Sequence, residues 1–110
     1  MKPADEQREI NDVLADSLAH FMELRKESQL SLARSSGVSQ ATINNYLRPH
    51  ARLESKSGKP PSAKLHEVGL LAKALKIKPW QLLQDMTPEQ RVFYAKLESA
   101  FLALQEDVNK

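Results

Sequence analysis

Between Ser39 and Arg48 the chain reads SQATINNYLR, and three of these side chains are carboxamides: Gln40, Asn44 and Asn45. A carboxamide carries a donor and an acceptor on one planar group, which suits a bidentate pair of hydrogen bonds to the edge of adenine in a nucleic-acid groove. Ile43, Tyr46 and Leu47 recur at helical spacing, so one helix would bury them and expose Gln40, Ala41, Asn44 and Asn45 together. Other chemistry is poorly served. Cysteine is absent, which excludes disulfides and thiolate metal sites. His20, His50 and His66 are scattered, with no pair at ligand spacing supported by carboxylates, so no metal is expected. There is no glycine-rich phosphate loop and no nucleophile elbow, so the expectation is a non-enzyme without a cofactor.

Charge points the same way. Residues 1–27 hold four basic and seven acidic side chains (−3), residues 28–80 nine and two (+7), and residues 81–110 three and five (−2), together giving the net +2. A basic middle between acidic ends suits a phosphate-binding face, although chance clustering on a solvated surface gives the same sums. The 110 residues suit one compact domain, and 41% apolar residues suffice for one modest core. The N-terminus, MKPADEQREINDVLADSL, has no continuous apolar stretch and carries acids throughout, so neither a leader peptide nor a membrane span is expected there. The expected location is the cytoplasm, at the nucleoid.

The elements that must position the carboxamides are all helical. Leu14, Leu18, Phe21 and Met22 fall on one face and predict a first helix over about 12–27. Ser28 is placed to cap a second helix from Gln29 to Ser36, and Gly37 to end it in the left-handed conformation. Ser39 then caps a third helix to about Leu47, ended by Pro49. Residues 49–62 form a polar, basic loop containing Gly58, Pro60 and Pro61. Ser62 begins a fourth helix with an apolar stripe of Leu65, Val68, Leu71, Ala72 and Leu75. A short fifth helix starts at Pro79, with Trp80, Leu82 and Leu83 on its buried side. Thr87-Pro88-Glu89-Gln90 combines a cap, a first-turn proline and a capping-box partner, opening a last helix to about Asp107.

The stretch QLSLARSSGVSQATINNYL, residues 29–47, meets the demands of a helix-turn-helix: Ala33 is small where the helices cross, Gly37 makes the turn, and Leu32, Val38 and Ile43 anchor the inner faces. With Leu71-Ala72-Lys73-Ala74-Leu75-Lys76-Ile77 and Leu82-Leu83 it resembles the lambda repressor and Cro-like proteins, the XRE family, over residues 13–84. That resemblance implies an all-α, five-helix, lambda-repressor-like DNA-binding domain. It also implies that Gln29 donates to a DNA phosphate and contacts Gln40, and that Gln40 reads a base edge. Ala41, Asn44 and Asn45 would then lie on the base- or backbone-facing side, with Arg48 near a phosphate. Ser39, at the start of this helix, and Arg34, from the second helix, complete the expected interface. Many relatives carry Arg and Glu where this chain has Met22 and Leu47, so an apolar contact is expected in place of a buried ion pair. The loop after the third helix is longer than the family's usual turn and adds Arg52, Lys56 and Lys59 as candidate backbone contacts.

In the last helix Phe93, Leu97, Ala100, Leu104 and Val108 recur at seam spacing, widened by Val92, Phe101 and Leu102. Two readings stand: the helix folds back to finish the core, or, with Trp80 of the fifth helix, it forms a dimer interface. The second has a functional motive, because a two-fold dimer reads two half-sites about one turn (roughly 34 Å) apart. The expected organisation is a DNA-binding domain over 1–86 and a dimerisation helix over 87–110. The function expected is a transcriptional regulator, a repressor binding a palindromic operator in double-stranded DNA as a homodimer. The alternatives are an antitoxin whose last helix binds a toxin, and a protein-interaction module that has lost DNA binding.

Overall fold

Local chemistry sets most of the helix ends. The computed structural model of the chain describes residues 8–51 and 62–108, the last three by their backbone alone. These residues form six helices and no strand: α1 (Ile10–Leu24), α2 (Gln29–Ser36), α3 (Gln40–Leu47), α4 (Leu65–Ala74), α5 (Pro79–Leu82) and α6 (Pro88–Val108). The expected devices operate at α2, α3 and α6. In α6, Gln90 N–H donates to Thr87 Oγ1 at 3.1 Å and Thr87 N–H to Gln90 Oε1 at 2.9 Å, a reciprocal capping box.

Three boundaries differ from expectation. Helix α1 begins at Ile10, where the Glu9 carboxylate accepts the Asn11 N–H, and ends at Leu24. It closes through Lys26 in the left-handed region (φ 56°), with Glu27 N–H reaching Met22 O at 2.8 Å. The α4 terminus repeats this with Lys76 (φ 60°) and Ile77 N–H on Ala72 O at 3.0 Å. Both ends are Schellman turns with lysine where glycine is usual. Helix α4 begins at Leu65 rather than at Ser62, because Lys64 N–H donates to the Tyr46 hydroxyl at 3.2 Å and holds residue 64 extended.

The core is enclosed by α1–α5. Helix α1 packs on α3 and α5, α2 on α3 and α4, and α4 on α5. Leu18, Leu32, Ile43, Leu71, Leu75 and Leu82 are fully buried at the centre. Met22 belongs to this cluster and Leu47 packs against it. Trp80 is a correction: it is 56% exposed while Leu82 is fully buried. In a helix of one turn, residues two apart point in nearly opposite directions, so Leu82 facing inward turns Trp80 out. Leu65 is also exposed (78%), at the very start of α4 and outside the core cluster.

Helix α6 does not finish the core. None of its described side chains is buried, and only Arg91, Ala95 and Glu98 face the body closely enough to be half-buried. Arg25 supplies the main tie, donating from Nε to Leu75 O at 2.9 Å and from a terminal nitrogen to Glu98 Oε1 at 2.7 Å. Arg8 spans Asp16 (2.6 Å) and Asp85 (3.2 Å), and so holds the segment before α6 against α1.

His20 lies where α1 meets α6, edge-on to Phe21 with ring centroids 5.0 Å apart. Burial lowers its pKa, the Arg91 charge lowers it further, and Glu23 opposes the shift. The fold therefore favours neutral imidazole, and below about pH 6.5 the unfolded chain binds more protons than the folded one. Thermal stability is expected to fall as pH drops through that value and to be insensitive to His20 at higher pH. Melts of His20→Gln between pH 5 and 8 should show a shallower acid decline than the parent; an identical decline would remove His20 from the account.

Candidate nucleic-acid interface

Helices α2 and α3 are joined by the three residues Gly37, Val38 and Ser39. Each helix opens on a serine cap. Ser31 N–H donates to Ser28 Oγ at 3.0 Å, and Ser28 N–H returns to Ser31 Oγ at 2.9 Å. Thr42 N–H donates to Ser39 Oγ at 3.1 Å. Gly37 stands at φ +81°, a conformation that costs an L side chain about 1–2 kcal/mol. Val38 N–H donates to Ser36 Oγ at 3.1 Å and tightens the turn. Leu32, Val38 and Ile43 are buried beneath it, and Ala33 packs on the core cluster.

This arrangement makes Gln29 and Gln40 the first residues of their helices. Gln40, Ala41 and Arg48 are exposed, Gln29 and Asn44 are half-buried, and Arg34 is exposed in the last turn of α2. At about 100° per residue, Gln40, Ala41 and Asn44 share one face of α3, and Arg48 follows as its C-cap residue. No hydrogen bond joins Gln29 to Gln40 among the described residues. Ser39 is engaged in the cap, with its hydroxyl also 2.8 Å from Thr42 Oγ1. Asn45, half-buried like Asn44, stands at the border of this face of α3. It lines a crevice of about 20 Å³ with Asn11, Leu14, Tyr46, Pro49, Ser62 and Ala63, room for about one water molecule. Arg52, Lys56 and Lys59 lie outside the described residues.

On α6, Phe93, Leu97, Ala100, Phe101 and Leu104 are exposed, with Phe101 at 59%. The side chain of Val108 lies outside the described residues. Trp80 stands across an open groove of about 600 Å³ from Leu97 and Phe101. Sequence reasoning missed the residues that complete this groove: Tyr94, seven residues before Phe101 on the same side, and Lys76 and Lys78 on the facing wall. The helical spacing of Tyr94 was the available signal.

The described arrangement has a counterpart among solved structures. In fold, the chain is similar to a crystallised hypothetical transcription factor, NHTF, from Neisseria. The two are 23% identical, and the likeness covers 86% of this chain and 97% of that one, with a TM-score of 0.58. A match over 86% of 110 residues is longer than residues 1–86 alone, so the shared fold takes in part of α6. No family model and no curated protein matches the chain. Among the described residues, no helix is long and apolar enough to cross a membrane, and no group of three or more His, Asp or Glu could hold a metal ion.

Proposed function

We propose that the protein is a sequence-specific DNA-binding transcriptional regulator of the lambda repressor/Cro (XRE) kind, acting as a repressor and binding a palindromic operator as a homodimer. The observation that carries this reading is the outer face of α3. Gln40, Ala41 and Asn44 stand together on the second helix of a helix-turn-helix, with Arg48 at its C-cap, inside the segment with +7 charge. Gln40 is the base reader and Gln29 its phosphate-bound neighbour, with Asn44 secondary. Asn45 is the weaker candidate, since it borders the crevice toward α1. Arg34, Arg48 and the loop cations Arg52, Lys56 and Lys59 supply phosphate contacts, so affinity falls steeply with salt while specificity resides in α3.

Residues 1–86 form the DNA-binding unit and 87–110 the dimerisation helix. The seven large apolar side chains of α6 that stand exposed, with Trp80, support this division. Repression follows from occupying a promoter in the cytoplasm. The protein is non-catalytic and takes no cofactor in this reading.

Gln40→Ala is expected to lose discrimination at one base position by about 1–3 kcal/mol, with stability unchanged. Competition binding against operator variants reads this directly, and an unaltered base preference would remove Gln40 as a reader. The exposed apolar face of α6 also favours a second reading, an antitoxin that gives this helix to a toxin. Co-purification of a small partner from the native host would select that reading over the homodimer.

A further inference from the structure

We infer that Tyr46 and Glu67 are a positioning pair that sets the tilt of α3, and so governs discrimination between DNA sites rather than attraction to any duplex. This inference rests on the DNA-binding reading above. Tyr46 lies in the last turn of α3 with its ring buried. Its hydroxyl donates to the Glu67 carboxylate in the first turn of α4 and accepts the Lys64 N–H at 3.2 Å. Packing alone would hold the ring, as it holds Ile43. The hydroxyl adds direction, because a hydrogen bond to a carboxylate is stronger than a neutral one and tolerates little misalignment.

The end of α3 is held on its other flank as well. His50 Nε2 lies 2.6 Å from Asp12 Oδ1, in the first turn of α1. The C-terminal end of α3 is therefore tied to α4 through the buried Tyr46, with a solvent-exposed contact from His50, just past the helix, to α1. Its opposite end, where Gln40 stands, follows the turn at Gly37–Ser39 and rests on the packing of Val38 and Ile43 in the core cluster, with no side-chain hydrogen bond to α1 or α4 at Gln40 among the described residues. A helix of eight residues is about 12 Å long, so a tilt of about 5° at the tied end moves the far end by about 1 Å. Hydrogen bonds to a base edge fail over such a shift. Phosphate contacts from long, flexible cations absorb it. Loss of the pair should thus weaken binding to the right site and leave binding to arbitrary DNA intact.

The test uses the full chain with Tyr46→Phe, Glu67→Ala, the double variant and Glu67→Gln, which keeps an acceptor for the hydroxyl. Dissociation constants are measured at one salt concentration, well below each variant's melting temperature. The probes are the duplex enriched by the parent protein from a random pool and a scrambled duplex of the same composition. The ratio of the two affinities should fall about tenfold in Tyr46→Phe and Glu67→Ala, no further in the double variant, and recover in part in Glu67→Gln, with scrambled-duplex affinity unchanged. A lowered melting temperature with an unchanged ratio would overturn the inference, as would equal loss on both duplexes. A parent protein that enriches no duplex would overturn the DNA-binding reading and this inference with it.

Discussion

Cutting the chain after Met86 is expected to leave a folded monomer that has lost most of its operator affinity. The core cluster is complete by Leu82, and Met86 is the last buried side chain. What the cut removes from the body is the half-buried edge of α6, chiefly the Arg25–Glu98 pair, whose side chains are 25% and 35% exposed. A partly exposed pair of this kind contributes at most about 1 kcal/mol, small beside a marginal domain stability of about 5–15 kcal/mol. Binding has more to lose. Two half-sites engaged by linked readers bind on the order of 10²–10⁴ times more tightly than one, and a monomer forfeits that factor. Sedimentation and a shift assay on the truncated chain check both halves of the expectation. A truncated protein that still sediments as a dimer would remove α6 from the interface, and one that fails to fold would place it in the core. Phe101→Glu in the full chain should reproduce the monomer, since a charge at a dimer core is costly to desolvate while an exposed one in the monomer costs little.

Ile43→Ala is expected to destabilise the protein by about 2–5 kcal/mol. Ile43 is fully buried and is the central inner anchor of α3, so the cavity opens where that helix meets the core. Denaturant titration measures the loss, and a cost below about 1 kcal/mol would mean that α3 is not held by this contact. The variant pairs usefully with Gln40→Ala, only three residues away on α3. Ile43→Ala should lose stability, whereas Gln40→Ala should keep stability and lose base preference.

The sequence was most legible where local chemistry decides. Ser28, Gly37, Ser39 and Thr87 set their boundaries as expected, because a cap needs only residues within a turn of itself. The buried stripe of α1 and the anchors Leu32, Val38 and Ile43 followed from periodicity. Reading failed where a distant partner decides. The start of α4 is set by the hydroxyl of Tyr46, eighteen residues away in the chain, and nothing in residues 62–65 announces it. Trp80 is exposed on a helix of four residues, too short for periodicity to define a buried side. Asn45 stands at the border of two faces of α3, and periodicity alone does not show that it shares a crevice with Asn11 of α1. In α6 the apolar stripe was plain, but periodicity gives a face without saying what covers it. Arg25 and Glu98, which hold that helix to the body, are seventy-three residues apart.

The most direct test of the central claim is selection of bound sites by the full chain from random duplex DNA, followed by affinity measurements across salt concentrations. Expected is one enriched, two-fold-symmetric sequence with half-site centres about one helical turn (roughly 34 Å) apart, bound with an affinity that falls steeply as salt rises. Recovery of no enriched sequence, with no salt-dependent binding to any duplex, would contradict it.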